Sequence, residues 1–340
     1  MLKKSNVKKL VSGVLTIALL CGGVRTGFES LKSLANSGIS KNLVNESKLI
    51  EENEEYDVFD ILEADETVWK DGLLYGLLYE DKWAMVKGCD KDVESVTIPD
   101  TVSHNNIVYN VKVVGEYAFN NCTALQEVII PDSVEYIEEC AFECCTALQE
   151  VIIPDNVKCI GECAFECCTA LQEIIIPDSV EYIKEAAFYY CKNLENVKLS
   201  SNLKLIDDYT FKNCTRLKKI EIPDTVTFIG NEVFNDCHSL TYINLPDELE
   251  TLQDSAFRHC VNLESIMIPR KVNNMGNEVF FGCDNLKTVM FGNINNLRKD
   301  NIEDSIFVGC GNLERIVVTG NVDRTIFDAI NIPEDCVIQY

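Results

Sequence analysis

Histidine is almost missing from this 340-residue chain, which holds three: His104, His238 and His259. None sits in a metal-binding pattern such as HExxH, and there is no GxSxG elbow, P-loop or GxGxxG turn. Those absences remove the usual signs of zinc hydrolases, serine hydrolases and nucleotide-binding enzymes. No enzyme and no cofactor are expected, and no catalytic or metal residue is assigned. Basic residues are scarce too: 30 Lys and Arg stand against 55 Asp and Glu, a formal net charge of −25. Nucleic acids and anionic membranes are gripped by clusters of Lys and Arg, so neither is an expected partner. Long apolar runs are also lacking. VSGVLTIALLCGGV at 11–24 falls short of the ~20 residues of a membrane-crossing helix.

That run has a basic head. Residues 1–27 carry Lys3, Lys4, Lys8, Lys9 and Arg25 and no acid. A charged start, an apolar middle and small residues behind it read as a secretory signal peptide over 1–26. An uncleaved N-terminal anchor is the alternative. Lipid attachment at Cys21 fits less well, because Leu20 stands where a small residue is wanted. Residues 27–67 read as a poorly ordered acidic linker. Their eleven acids against three lysines leave too little apolar surface to fold alone.

Beyond the linker the chain repeats itself. ECAFECCTALQEVIIPD at 139–155 returns at 162–178 with one difference, Val151 in the first copy and Ile174 in the second. Phe119, Phe142, Phe165, Phe188, Phe211, Phe234, Phe257 and Phe280 follow at steps of 23, and Phe307 after a step of 27. Three residues past each Phe is a cysteine, from Cys122 to Cys310; six past is a leucine, from Leu125 to Leu313. Alternating apolar residues such as Val128 and Ile130 then mark a strand. Pro-Asp, as at Pro131–Asp132, ends the strand and starts a turn whose amides the Asp can cap. Calcium binding by the Asp column is disfavoured, since the glycine-rich calcium-coil motif is missing. A second extended piece, framed by Val134 and Ile137, leads into a short helical turn carrying the next Phe. One such unit cannot bury its apolar edge, but stacked units can, strand against strand in a parallel sheet. The reading is a solenoid of about nine coils, roughly 40–45 Å long at ~4.8 Å per strand.

IGECAFECCTALQEIIIPDSV at 160–180 resembles the BspA-like family of leucine-rich repeats, the bacterial and protist surface-antigen type. GLLYGLLYEDKWAMVKG at 72–88, VTIPDTV at 96–102 and NNIVYNVKVVGEYAF at 105–119 are similar to that family's approach to its first coil. The resemblance implies an α/β leucine-rich-repeat solenoid with a parallel β-sheet face and short helical turns. It implies a β-hairpin-type N-terminal cap and lead-in coil at 68–112, the solenoid at 113–319 and a C-terminal cap at 320–340. It also implies a secreted or cell-surface protein that adheres to other macromolecules and has no catalytic residues.

The 17 cysteines need a separate reading. The nine in the repeat column pack as small apolar groups beside Phe and Leu. Cys140 and Cys144 recur one coil later as Cys163 and Cys167. They fit two disulfides, Cys140–Cys163 and Cys144–Cys167, or a tetrahedral zinc, or thiols merely copied in a unit duplication. The following coil has Ala186 and Tyr190 in their places. Cys89, Cys159 and Cys336 carry no assigned role.

Ten residues past each Phe the side chain should face solvent. The first three coils place Ile129, Ile152 and Ile175 there, edged by Gln126, Gln149, Gln172 and by Glu127, Glu150, Glu173. An apolar strip with a polar rim is the form of a contact surface. A second column holds Tyr136, Tyr182 and Phe228, residue types favoured as interface anchors, although strands favour β-branched and aromatic residues anyway. His259 and Asp236 share a column in adjacent coils and are expected to pair. The functional expectation is an exported, non-enzymatic monomer that binds a protein or glycan on another cell or in a matrix. A self-assembling cell-envelope component and an intracellular protein-interaction scaffold are the alternatives.

Overall fold

The computed structural model describes residues 64–292, 297, 302, 304–319, 326–327 and 330–340. The expected signal peptide, and the expected linker up to residue 63, lie outside them. The cap begins earlier than the boundary expected at 67. Strands β1 (Glu66–Lys70), β2 (Leu73–Leu78) and β3 (Trp83–Cys89) form an antiparallel meander. The Tyr79 amide donates to Asp65 Oδ2 at 2.9 Å and its hydroxyl donates to Glu66. Two acids assigned to the linker are thus tied into the hairpin. After β4 (Ser95–Thr97), β5 (Thr101–His104) pairs antiparallel with β6 (Ile107–Val114), and β6 runs parallel to β3. The cap thereby turns an antiparallel hairpin into the parallel stacking of the coils.

Each coil contributes short strands to two parallel ribbons. The first ribbon stacks Ser95–Thr97, Glu127–Ile129 and Glu150–Ile152, then Glu173–Ile175 to Tyr242–Asn244, then Ser265–Ile268 onwards. Its register is repeat on repeat: Glu127 faces Glu150, Val128 faces Val151 and Ile129 faces Ile152. The second ribbon stacks two-residue strands, among them Tyr136–Ile137, Cys159–Ile160 and Tyr182–Ile183. Between the ribbons the Pro turn closes locally, with the Val134 amide donating to the Pro131 carbonyl at 3.1 Å. Where Ser200 replaces Pro, Leu203 donates to Ser200 in the same way at 3.3 Å. Val337–Gln339 adds a last parallel strand to Arg315–Val318 and covers that edge.

The segment carrying each Phe is not a helical turn. Among the described residues there is no α-helix. From Phe119 to Phe280 the residues two before and two after the Phe have positive φ, as at Tyr117 (55°) and Asn121 (59°); at Phe307 only Gly309 does. These left-handed residues turn alternate peptides outward. The amides of Tyr117, Phe119 and Asn121 donate to Glu139, Ala141 and Glu143 of the next coil at 3.0, 2.7 and 2.8 Å. Those of Ala118, Asn120 and Cys122 close local turns three residues back. A helix would point all its N–H groups along its own axis and leave the neighbouring coil's carbonyls without donors. Stacking therefore selects the flatter, laterally bonded turn.

Inside lie continuous files of identical residues. The rings from Phe119 to Phe307 stack with centroids 5.0–5.8 Å apart and planes within 10°. Every ring in the file is fully buried. The neighbouring thiols are hydrogen-bonded as well as buried. Cys145 Sγ donates to the Phe119 carbonyl at 3.1 Å, Cys168 to Phe142 at 3.2 Å, and so on to Cys310, which donates to Phe280 at 3.0 Å. Burial raises these thiols well above their usual range, as at Cys168 and Cys214. They are structural, not reactive.

Candidate functional site

The alternation of the first ribbon sorts its side chains. Val128, Val151 and Ile174 turn inward and are buried; Ile129, Ile152 and Ile175 turn outward at 51, 70 and 52 % exposure. The three isoleucines stand one above another on successive strands. Glu127, Glu150 and Glu173 stand two residues before them, also exposed, on the same side. The strip ends at the next coil, where Lys198 registers against Ile175. Further along the ribbon, Tyr242 and Met267 are exposed at 54 and 44 %. Tyr242 escaped the sequence reading because it belongs to the column eight past the Phe, where the earlier coils carry only polar residues: Glu127, Glu150, Glu173, Asn196 and Lys219.

Tyr136, Tyr182 and Phe228 lie on the second ribbon and are half-buried. The structure therefore does not join them to the isoleucine strip. Cys159 separates the two tyrosines along the stack. Lys158 Nζ lies 5.6 Å from the centre of the Tyr136 ring and 2.7 Å from Glu135, which Lys112 also holds at 2.5 Å. Charges on this side pair along the stacking direction and partly cover the aromatic column.

Cys140, Cys144, Cys163 and Cys167 occupy left-handed positions at φ of 51, 58, 52 and 57°. All four are free thiols in this structure. Burial raises Cys140 and Cys167 to about 12 and Cys163 further. No group of His, Cys, Asp and Glu among the described residues has the arrangement of a metal site. His259 Nδ1 lies 3.0 Å from Asp236 Oδ1, the pairing expected from their shared column, and His238 Nε2 approaches the same oxygen at 3.3 Å.

A different file holds acids. Burial lifts the Glu185 carboxyl to about 7, and Glu162, Asp207 and Asp208 nearby add to the rise. Glu162 and Asp207 are raised for the same two reasons, burial first.

The BspA type leucine rich repeat model matches residues 87–218 and 204–331, with six copies. The chain belongs to this family. A leucine-rich repeat protein from Bacteroides ovatus is 30% identical over 74% of this chain and 70% of its own, with a TM-score of 0.58. A leucine rich cell surface protein from Faecalibacterium prausnitzii is 22% identical over 78% of this chain and 98% of its own, with a TM-score of 0.42. A leucine rich repeat protein from T. pallidum is 24% identical over 52% of this chain and 91% of its own, with a TM-score of 0.45. No curated protein matches. This BspA-type chain is thus a leucine-rich repeat protein.

Proposed function

We propose that this BspA-type protein is exported and binds a protein partner through the first-ribbon face of its opening coils. The observation that carries the reading is the row of Ile129, Ile152 and Ile175, exposed and in register. Single exposed apolar residues are ordinary on a protein surface; a contiguous file with a charged rim has the form of a contact site. The stacked carboxylates of Glu127, Glu150 and Glu173 favour a partner that brings Lys or Arg to the rim. A glycan partner is the second form of the same reading, with less to recommend it on an aliphatic strip. The mechanism is rigid display: hydrogen bonds from coil to coil hold the side chains at fixed spacing, so little order is lost on binding. The basic and apolar start of the chain supports export.

The test replaces Ile129, Ile152 and Ile175 with Lys and uses the purified protein as bait on surface and matrix extracts. Each exchange should cost no more than about 0.5 kcal/mol, and the three together about 1.5 kcal/mol, because the positions face water. Capture of the partner should be lost. Undiminished capture by a folded triple variant would sink the assignment, and recovery of uncleaved protein in the cytosol would sink export.

A further inference from the structure

The thiol file has an exception at its first member. From Cys145 to Cys310 each thiol donates to the carbonyl of the Phe one coil back. Cys122 has no such Phe behind it, because Phe119 opens the series. In the carbonyl's place stands Cys89, the last residue of β3, with its Sγ 2.9 Å from Cys122 Sγ. Both side chains are buried. Lys91 closes the group: its Nζ donates to the Asn120 carbonyl and lies 3.8 Å from Cys122 Sγ. Two sulfurs this close need to approach by only about 1 Å more to reach the bonded distance.

We propose that Cys89 and Cys122 are an oxidisable pair that closes into a disulfide and clips the N-terminal cap to the first coil. The co-reactant is a low-molecular-weight disulfide. One cysteine thiolate attacks a sulfur of that disulfide and expels a thiolate, leaving a mixed disulfide. The second cysteine, deprotonated, attacks the protein sulfur of the mixed disulfide and expels the other thiolate. Two cysteine thiols are oxidised, the small disulfide is reduced to two thiols, and the two cysteine protons end on the leaving groups. The Cys89 thiol, donating to Cys122, lowers the Cys122 pKa, with Lys91 adding to it. That favours the thiolate the first step requires. The bond would join residues 33 apart, from the cap meander to the first coil. None of this depends on the isoleucine strip.

The test takes the full chain, reduced and then equilibrated in a buffer of glutathione and glutathione disulfide. Free thiols are alkylated, and the non-reduced digest is read by mass spectrometry. The expected result is the Cys89 peptide joined to the peptide carrying Cys122, about 2 Da lighter than the two reduced peptides together. Fragmentation should place the link on Cys122. The link should vanish in Cys122→Ser, and oxidation should raise the melting temperature of the parent by about 5–10 °C but not that of Cys89→Ser. Recovery of both residues as alkylated thiols or as separate glutathione adducts overturns the proposal. So does a bond from Cys89 to any other cysteine. Mapping of the parent protein decides the matter even where a serine variant fails to fold.

Discussion

The inside and the outside of the same coils obey opposite rules. Inward, Phe119 to Phe307 are identical in every coil and stack 5.0–5.8 Å apart. Outward, the column ten past each Phe runs from Ile129 through Lys198, Glu221 and Asn244 to Met267. In a solenoid the neighbour above and below a core residue is the same residue, so a change in one coil spoils two contacts. An outer residue meets water on one side and tolerates exchange. Duplication of a unit then sets identical outer residues in line at once. The near-copies at 139–155 and 162–178 show how one surface isoleucine becomes a strip.

Stacking like on like is favourable only for groups that attract or ignore each other. The comparison is tested most sharply by breaking an inner file. Phe211→Ala removes a ring between two others and should cost about 3–5 kcal/mol, read by denaturant unfolding. A cost below about 1 kcal/mol would mean the file is not what holds the coils together.

The acid file gives the converse. Glu185 titrates at about 7 in the folded protein against 4.5 for an ordinary glutamate, through burial and then neighbouring acids. A raised folded value means the folded state binds the proton more tightly than the unfolded chain. Its stabilising effect is complete below about 4.5 and is lost as pH rises through about 7. The melting temperature should therefore be lower at pH 8 than at pH 5, and Glu185→Gln should shrink that difference. An unchanged difference in the variant would place the effect elsewhere.

The smallest effect concerns the left-handed turn positions. Asn121 and Asn213 fill the position two past the Phe in their coils, whereas Cys144 holds φ of 58° in its own. Asn tolerates that conformation better than most residues. Cys144→Asn should add about 0.5–1 kcal/mol. A loss of stability would show that the thiol makes contacts worth more than the backbone relief.

These same turn residues mark where reading the chain alone went astray. The segment around each Phe has three-residue periodicity and small residues such as Ala141, and it reads as a helical turn. The signal against it was present in one column, where Asn121, Asn213, Gly282 and Gly309 all favour positive φ. Cys144, Cys167 and Tyr190 masked it in the middle coils. The start of the cap was misplaced because Asp65 and Glu66 look like linker acids until Tyr79 is seen to bond them. The isoleucine strip was legible because period two is local to each strand. The tyrosine column's place on a second extended piece, framed by Val134 and Ile137, was legible too; its half-burial was not, since that depends on side chains from adjacent coils such as Lys158.

The sequence by itself determined the coil length, the three inner files, the outward isoleucines and the family, because each is written at a constant step of 23 residues. The tertiary structure alone decided the flat turns, the acid file's shared strain and the meeting of Cys89 with Cys122. Each of those arises between chain segments brought together by stacking, where a carbonyl, a like charge or a second sulfur from another coil or from the cap sets the local state.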